Sequence, residues 1–491
     1  MADKRLKTRL RDLEHAQDYA SWHEIAEELD RLEGLDAWRA DDASDDYDYL
    51  LIKERLAEMR ALRSAGEVRH LAFSLHEGLH GNIGNIANPA LHGVARCGTK
   101  HLIEQYVNEV ARCIDYISAG DFPDFPPAEK VLFFKRTGSV FGRSALMLSG
   151  GASLGMFHLG VVKALFENGL LPRVLSGSSA GSIIASMVCV RTDEQLPDIF
   201  ARDGIHLDAF QRVSLRGVLR GGSVMEGDAL QSCLQRNIGD ATFEQAFEST
   251  RRMLGITVSP AEPNQHGRLL NYLTAPHVMI NSATLASCAI PGVFPSVMLQ
   301  ARDFDGDVVP YMPSKRWVDG TLSADLPMLR LARLHNVNHY IVSQTNPHVV
   351  PFLRDRQRDD HGLLPWVREL AATSGRNALR VTRKHFAAGN AVLAQAYGVV
   401  RQRYSGDVTV FPKHSPRQLI RMLANPTADE IDAYIREGER ATWPKLARIA
   451  TQTRISRSLE DATARLKTHS PARGSRTRAL RAVTGGSGRS R

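Results

Sequence analysis

The chain has 491 residues, more than one hydrophobic core normally supports, and its apolar share of 43% is ordinary for a globular protein, so two ordered domains and a tail are expected. Its net charge of +8 owes much to an Arg-rich stretch over about the last twenty-five residues, so the excess does not mark the folded part as a nucleic-acid binder. The five cysteines (Cys97, Cys113, Cys189, Cys233, Cys288) are odd in number, widely spaced and free of any CxxC pair, which argues against a disulfide framework and a zinc site.

Met1 to Asp12 is charged throughout, and no apolar run approaches the ~20 residues of a membrane span. A cytoplasmic protein, neither secreted by a classical signal nor integral to a membrane, is expected. From Arg5 to about Gly120 the pattern is helical, with Ile25, Leu29 and Leu32 on one face, and residues 1–125 form a predicted helical domain. The stretch Asp121-Phe122-Pro123-Asp124-Phe125-Pro126-Pro127 closes it, because its prolines cannot continue a helix.

Between residues 144 and 412, short apolar strand candidates alternate with helical stretches, which points to an α/β fold. The candidates are Ala145 to Leu148, Val174 to Leu175, Met253 to Val258, Leu269 to Leu273, Tyr340 to Val342 and Val408 to Phe411. Residues 413–466 form a predicted helical extension, with Pro444 expected to kink or interrupt the helix beginning at Ala428. Residues 467–491, rich in Arg, Ser and Gly, read as a disordered basic tail.

Two glycine-rich turns carry the chemistry. Gly150-Gly151-Ala152-Ser153-Leu154-Gly155 follows one strand candidate, and Gly177-Ser178-Ser179-Ala180-Gly181 follows the next. The second has the strand, turn, helix context of a nucleophile elbow, in which Gly177 and Gly181 permit close packing and Ser179 sits at a helix amino terminus. The first would bring the N–H groups of Gly150, Gly151 and Ala152, in a loop closed by Gly155, toward the same point as an oxyanion hole. The spacing is not the GxGxxG of dinucleotide folds, since Ala152 stands where the second glycine would be.

A serine needs a base. Asp319, in Trp317-Val318-Asp319-Gly320, lies at a predicted strand end, while His335, His339, His348, His361, His385 and His414 follow it, so a Ser, Asp, His order stays open on the residues alone. Asp303-Phe-Asp305-Gly-Asp307 does not match a calcium loop and reads as a solvated acidic turn, as does the run Asp41, Asp42, Asp45, Asp46, Asp48. No metal or cofactor is expected. Val349 to Phe352 and Leu363 to Trp366, interleaved with Arg354, Arg356 and Arg358, read either as a segment whose Phe352 and Trp366 pack on the core or as a candidate lipid-surface segment.

Ser-Gly-Gly-Ala-Ser-Leu-Gly, Gly-Ser-Ser-Ala-Gly and the later Asp-Gly together resemble the patatin-like phospholipases. Tyr19-Ala-Ser-Trp22, Tyr47-Asp-Tyr-Leu-Leu-Ile52, Gly98-Thr-Lys-His-Leu-Ile-Glu104 and Gly438-Glu-Arg-Ala-Thr-Trp-Pro444 resemble the subgroup of triacylglycerol lipases with an N-terminal helical domain of unknown function. The resemblance implies a three-layer α/β/α domain around a mostly parallel sheet. It also implies Ser179 as nucleophile with Asp319 as its base and no histidine, and a fatty-acyl lipid ester as substrate.

A phospholipase or lysophospholipase, and a catalytically silent lipid-binding scaffold, are the alternatives. A peripheral lipid or lipid-droplet surface is the implied partner, and nucleic acid is not. The family loop commonly has glycine where Ala152 stands, which is costly unless its φ is negative. The His and Asp pair, five positions apart, of acyltransferase-active members has no counterpart here.

Overall fold

The computed structural model describes residues 2–202, 204–206, 227–262, 265–291, 293–320, 325–347, 349, 405–413, 415, 418–419, 421–422 and 424–469. Two compact units result: residues 1–26 with 143–449, and residues 27–142 with the chain from Ala450 onward. This discontinuous grouping differs from the linear division into residues 1–125, 144–412, 413–466 and 467–491. One reason is local: Ala16, Trp22 and Ala26 are buried, and Arg440 donates to the Ala16 carbonyl at 2.8 Å.

The first unit is built on a seven-stranded, mostly parallel sheet. Its strands are β1 (Arg143–Leu148), β2 (Val174–Gly177), β3 (Met253–Pro260), β4 (Arg268–Leu270), β7 (Trp317–Asp319), β8 (Val337–Ser343) and β9 (Val408–Val410). The separate pair β5 (Gln300–Arg302) and β6 (Val308–Pro310) is an antiparallel hairpin. The main order is β4-β3-β2-β1-β8-β9, with β7 paired to β3. β1 and β2 are almost wholly buried, as strands covered on both faces must be.

The acidic turn Asp303 to Asp307 joins β5 to β6, where Asp303 Oδ1 accepts the N–H groups of Asp305 at 3.0 Å and Asp307 at 2.9 Å. The carboxylate caps a turn.

The helix Ala428–His469 runs through Pro444, so the expected interruption does not occur. Trp443, Leu446 and Ile449 around it are buried, and their burial offsets the ~3 kcal/mol a helical proline costs.

In the second unit, helices Tyr49–Ala65, Val68–Gly78, His101–Ala119 and Pro127–Phe141 share a core that includes Ile52, Leu71, Ile103, Ile114 and Phe134. The acidic run feeds this unit: Asp48 Oδ1 caps the first of these helices by accepting the Leu51 N–H at 3.0 Å. Among the described residues no helix is long and apolar enough to cross a membrane.

Candidate active site

Ser179 stands between β2 and the helix Ala180–Cys189 with φ 49° and ψ −125°, a conformation that L side chains rarely adopt. The surrounding glycines make the turn feasible. A Cβ at Gly177 would collide with the Gly181 carbonyl, and one at Gly181 with the Leu148 carbonyl. The turn is held from several sides: the Ser179 N–H donates to Ser287 Oγ at 3.0 Å, and its carbonyl accepts Ser182 Oγ at 2.6 Å. Ser178 Oγ contacts Thr257 Oγ1 and donates to the Asp325 carbonyl at 2.8 Å. Ser179 is left only 6% exposed, at a helix amino terminus where N–H groups favour negative charge.

The glycine loop leaves β1 beside this turn, since Leu148 is in register with Gly177. The Gly150 N–H donates to Asp325 Oδ1 at 3.0 Å, so this expected oxyanion donor is engaged by a carboxylate and does not face Ser179 as a free group. The N–H groups of Gly151 and Ala152 have no hydrogen-bond partner among the described residues.

Gly151 has φ 156°, and a Cβ there would strike Thr345. Ala152 has φ 51°, the unfavourable sign for a non-glycine residue, so this departure from the family pattern is a strained one. At the end of the loop, a Cβ on Gly155 would stand 2.5 Å from Ala180 Cβ, which shows how closely the loop rests on the start of the helix Ala180–Cys189. Thr345 braces the loop, donating to the Gly150 carbonyl at 2.9 Å and, by its N–H, to Ser149 Oγ at 2.8 Å.

Asp319 is buried at the end of β7. Ile256 of β3 pairs with both Gly177 and Leu270, and Val258 pairs with both Arg268 and Asp319, so β2 and β7 lie along one edge of β3 and β4 along the other. β7 therefore runs antiparallel to β3 into the space where β2 stops, which carries Asp319 toward the turn that holds Ser179. The Asp319 N–H donates to the Ala289 carbonyl at 3.0 Å, and a Cβ at Gly320 would press on the Thr257 backbone.

His335 and His339 stand elsewhere. His339 pairs with Ser144 near the start of β1, at the opposite end of the sheet from the elbow, with Nδ1 3.1 Å from Ser144 Oγ. His335 ends the helix Met328–His335 and stacks on Tyr272. His158 lies under the loop, with Nε2 3.0 Å from the Ser149 carbonyl and Nδ1 2.7 Å from Ser343 Oγ. Burial pushes it down to about 4, so it is neutral, with Nε2 donating and Nδ1 accepting. His348, His361, His385 and His414, the segment from Val350 to Trp366 and the tail from Ser470 lie outside the described residues.

Three residues of this site carry no motif in the sequence: Asp325, Ser287 and His158. Asp325 is 1% exposed, and burial, with the nearby Asp319 charge adding to it, raises its carboxyl to about 7. A cavity of about 550 Å³, lined by Leu230, Met279, Leu285, Ala289, Phe294 and Met298 among others, opens beside the Asp319 anchor. The five cysteines are free thiols, and among the described residues no cluster of three His, Cys, Asp or Glu side chains could hold a metal.

An elbow serine, a glycine loop over its helix and a mostly parallel sheet define the class. Residues 146–332 match the patatin-like phospholipase family, and residues 1–139 match a domain of unknown function, DUF3336. Triacylglycerol lipase ptl3 of Schizosaccharomyces pombe is 34% identical over 452 residues, covering 88% of this chain and 92% of that protein. This chain belongs to the patatin-like phospholipase family.

Triacylglycerol lipase SDP1L of Arabidopsis thaliana is 36% identical over 475 residues, covering 91% of this chain and 57% of that protein. Triacylglycerol lipase 4 of Saccharomyces cerevisiae is 34% identical over 462 residues, covering 88% and 50%. The chain thus spans about half the length of these last two relatives.

Proposed function

We propose that the protein is a serine acyl hydrolase of fatty-acyl lipid esters, acting as a triacylglycerol lipase, with Ser179 as nucleophile and Asp319 as its base. The observation that carries this reading is the strained Ser179 turn, with Asp319 on the strand that extends along the same edge of β3. The likeness to three proteins named triacylglycerol lipase supports the choice of substrate.

In this reading Ser179 Oγ attacks the ester carbonyl as its proton passes to Asp319. The Gly151 and Ala152 N–H groups stabilise the oxyanion, and the proton leaves with the alcohol. Water, deprotonated by Asp319, then attacks the acyl-enzyme and releases the fatty acid while Ser179 recovers its proton. The cavity bounded by Leu285 and Ala289 is assigned to the acyl chain. Five free thiols support a reducing, cytoplasmic setting, in which an insoluble substrate requires the enzyme to work at a lipid surface.

The test is hydrolysis of triolein, phosphatidylcholine and a short soluble ester by the wild type, Ser179→Ala and Asp319→Asn. Hydrolysis of triolein, lost by about a thousandfold or more in Ser179→Ala, is the expected result. Preference for phosphatidylcholine would replace the lipase by a phospholipase. Wild-type inactivity on all three would leave the lipid-binding scaffold.

A further inference from the structure

We propose that Asp325 is a positioning residue of this site, locking the glycine loop to the nucleophile turn so that the Gly151 and Ala152 N–H groups stay directed at Ser179. The proposal rests on the reading of Ser179 as nucleophile.

Asp325 ties together three strand exits at one end of the sheet. Its Oδ1 accepts the Gly150 N–H at 3.0 Å, just past β1. Its main-chain carbonyl accepts Ser178 Oγ at 2.8 Å, just past β2. Its Oδ2 accepts Asn346 Nδ2 at 2.6 Å, just past β8. Ser178 Oγ also meets Thr257 Oγ1, so β3 joins the same cluster. A carboxylate in this place is costly, since the residue is buried beside a second acid, Asp319.

A loop that needed only to be packed would be served by apolar contacts. A carboxyl group supplies two acceptors that bind donors of the loop and of the β8 exit at once. Withdrawing the Gly150 N–H turns the peptide plane of the loop's first residue, and with Gly151 at φ 156° and Ala152 at φ 51° the next two N–H groups follow from that anchor. Asp325 touches no reacting atom in this scheme. It acts through Gly150 and Ser178.

The experiment compares Asp325→Ala and Asp325→Asn with the wild type in the full chain. Activity on a soluble p-nitrophenyl ester is expressed per active site, titrated with a fluorophosphonate that reacts at Ser179, and Ser179→Ala runs alongside. Asp325→Ala should lower kcat per titrated site by about 100-fold with KM within about twofold, the size of effect seen when an oxyanion donor is lost. Asp325→Asn, whose amide oxygen still accepts the Gly150 N–H but whose amide nitrogen cannot accept from Asn346, should recover only in part, to about three- to tenfold below wild type.

A merely structural role would reduce the number of titratable sites and leave kcat per site unchanged, and that result overturns the proposal. So does an Asn variant as impaired as the Ala variant. If Asp325→Ala does not fold, Asp325→Asn decides. A kcat and a fluorophosphonate rate lowered together by about threefold or more support positioning. Wild-type values for both overturn it. Full activity in Ser179→Ala would instead sink the hydrolase reading, an outcome that no Asp325 variant can imitate.

Discussion

The Ser179 N–H donates to Ser287 Oγ at 3.0 Å, and both residues are buried. The hydroxyl comes from the helix Ile280–Cys288 and satisfies a backbone donor that, at a helix amino terminus, has no acceptor within its own helix. Replacing it leaves a buried N–H without a partner, which costs about 1–3 kcal/mol. Ser287→Ala should therefore lower the thermal midpoint by several degrees and reduce kcat by about tenfold, because the Ser179 conformation loses a restraint. A variant with wild-type melting and wild-type kcat would show that the contact holds nothing.

Ala152 adopts φ 51°, which glycine tolerates at no steric cost. Ala152→Gly should raise stability by about 1 kcal/mol, read by denaturant unfolding, while hydrolysis of a soluble ester stays within about twofold because the N–H is retained. A destabilised variant would mean that the alanine methyl makes contacts outweighing the strain.

The pH dependence of folding follows from buried groups. His158 and His335 are both pushed down to about 4 by burial, from 6.5. Between about pH 4 and 6.5 the unfolded chain binds more protons at these sites, so their contribution to stability is full above 6.5 and is lost as pH falls toward 4. Asp325 works in the opposite sense. With its folded value raised to about 7 from 3.8, the native state holds more protons across that window, and its contribution declines as pH rises through it.

His158→Gln should therefore be costly at pH 7.5, where it disturbs the bonds to Ser149 and Ser343, and its midpoint deficit should shrink by pH 5, where the wild type must lose a proton to keep its fold. An equal deficit at both pH values would remove His158 from the acid response.

Gly160, in the helix Phe157–Glu167, packs against the helix that begins at Ala428, and a Cβ there would run into the Ile435 carbonyl. The Gly438 side of the same crossing would meet the Phe157 carbonyl. Gly160→Ala should cost about 3 kcal/mol or more, since two backbones must separate. Gly138→Ala, with nothing within 4 Å of its new Cβ, is the control expected to be neutral or stabilising. Equal melting of the two variants would refute the close crossing.

Along the helix Ile280–Cys288, Ser282 and Leu285 face the cavity, as does Ala289 just past its end, while Ser287 faces the Ser179 turn. In the proposed reaction the acyl chain on Ser179 is assigned to this cavity, which Leu285 and Ala289 line. Leu285→Trp narrows that cavity and should shift the preference among p-nitrophenyl esters toward shorter chains, by about tenfold in the ratio of kcat/KM for long against short acyl groups. An unchanged ratio would place the acyl chain elsewhere.

What the sequence by itself determined is local. Glycine spacing, the apolar runs before each turn and the Asp-Gly at residue 319 are read over a few residues, because close backbone approach and strand burial leave their marks at the positions that need them. The β5 and β6 hairpin was legible only as an acidic turn, and Pro444 promised a break that neighbouring burial overrode.

Tertiary structure alone decided the rest. Gly150 meets Asp325 across 175 positions, Ser178 meets it across 147, and Ser179 meets Ser287 across 108. The first residues of the chain likewise group with the sheet and not with the helices that follow them. An aspartate before Leu-Pro and a serine within a helix look ordinary in sequence. They become part of a site only when strand order brings their oxygens to the buried N–H groups of Gly150 and Ser179 and to the Ser178 hydroxyl.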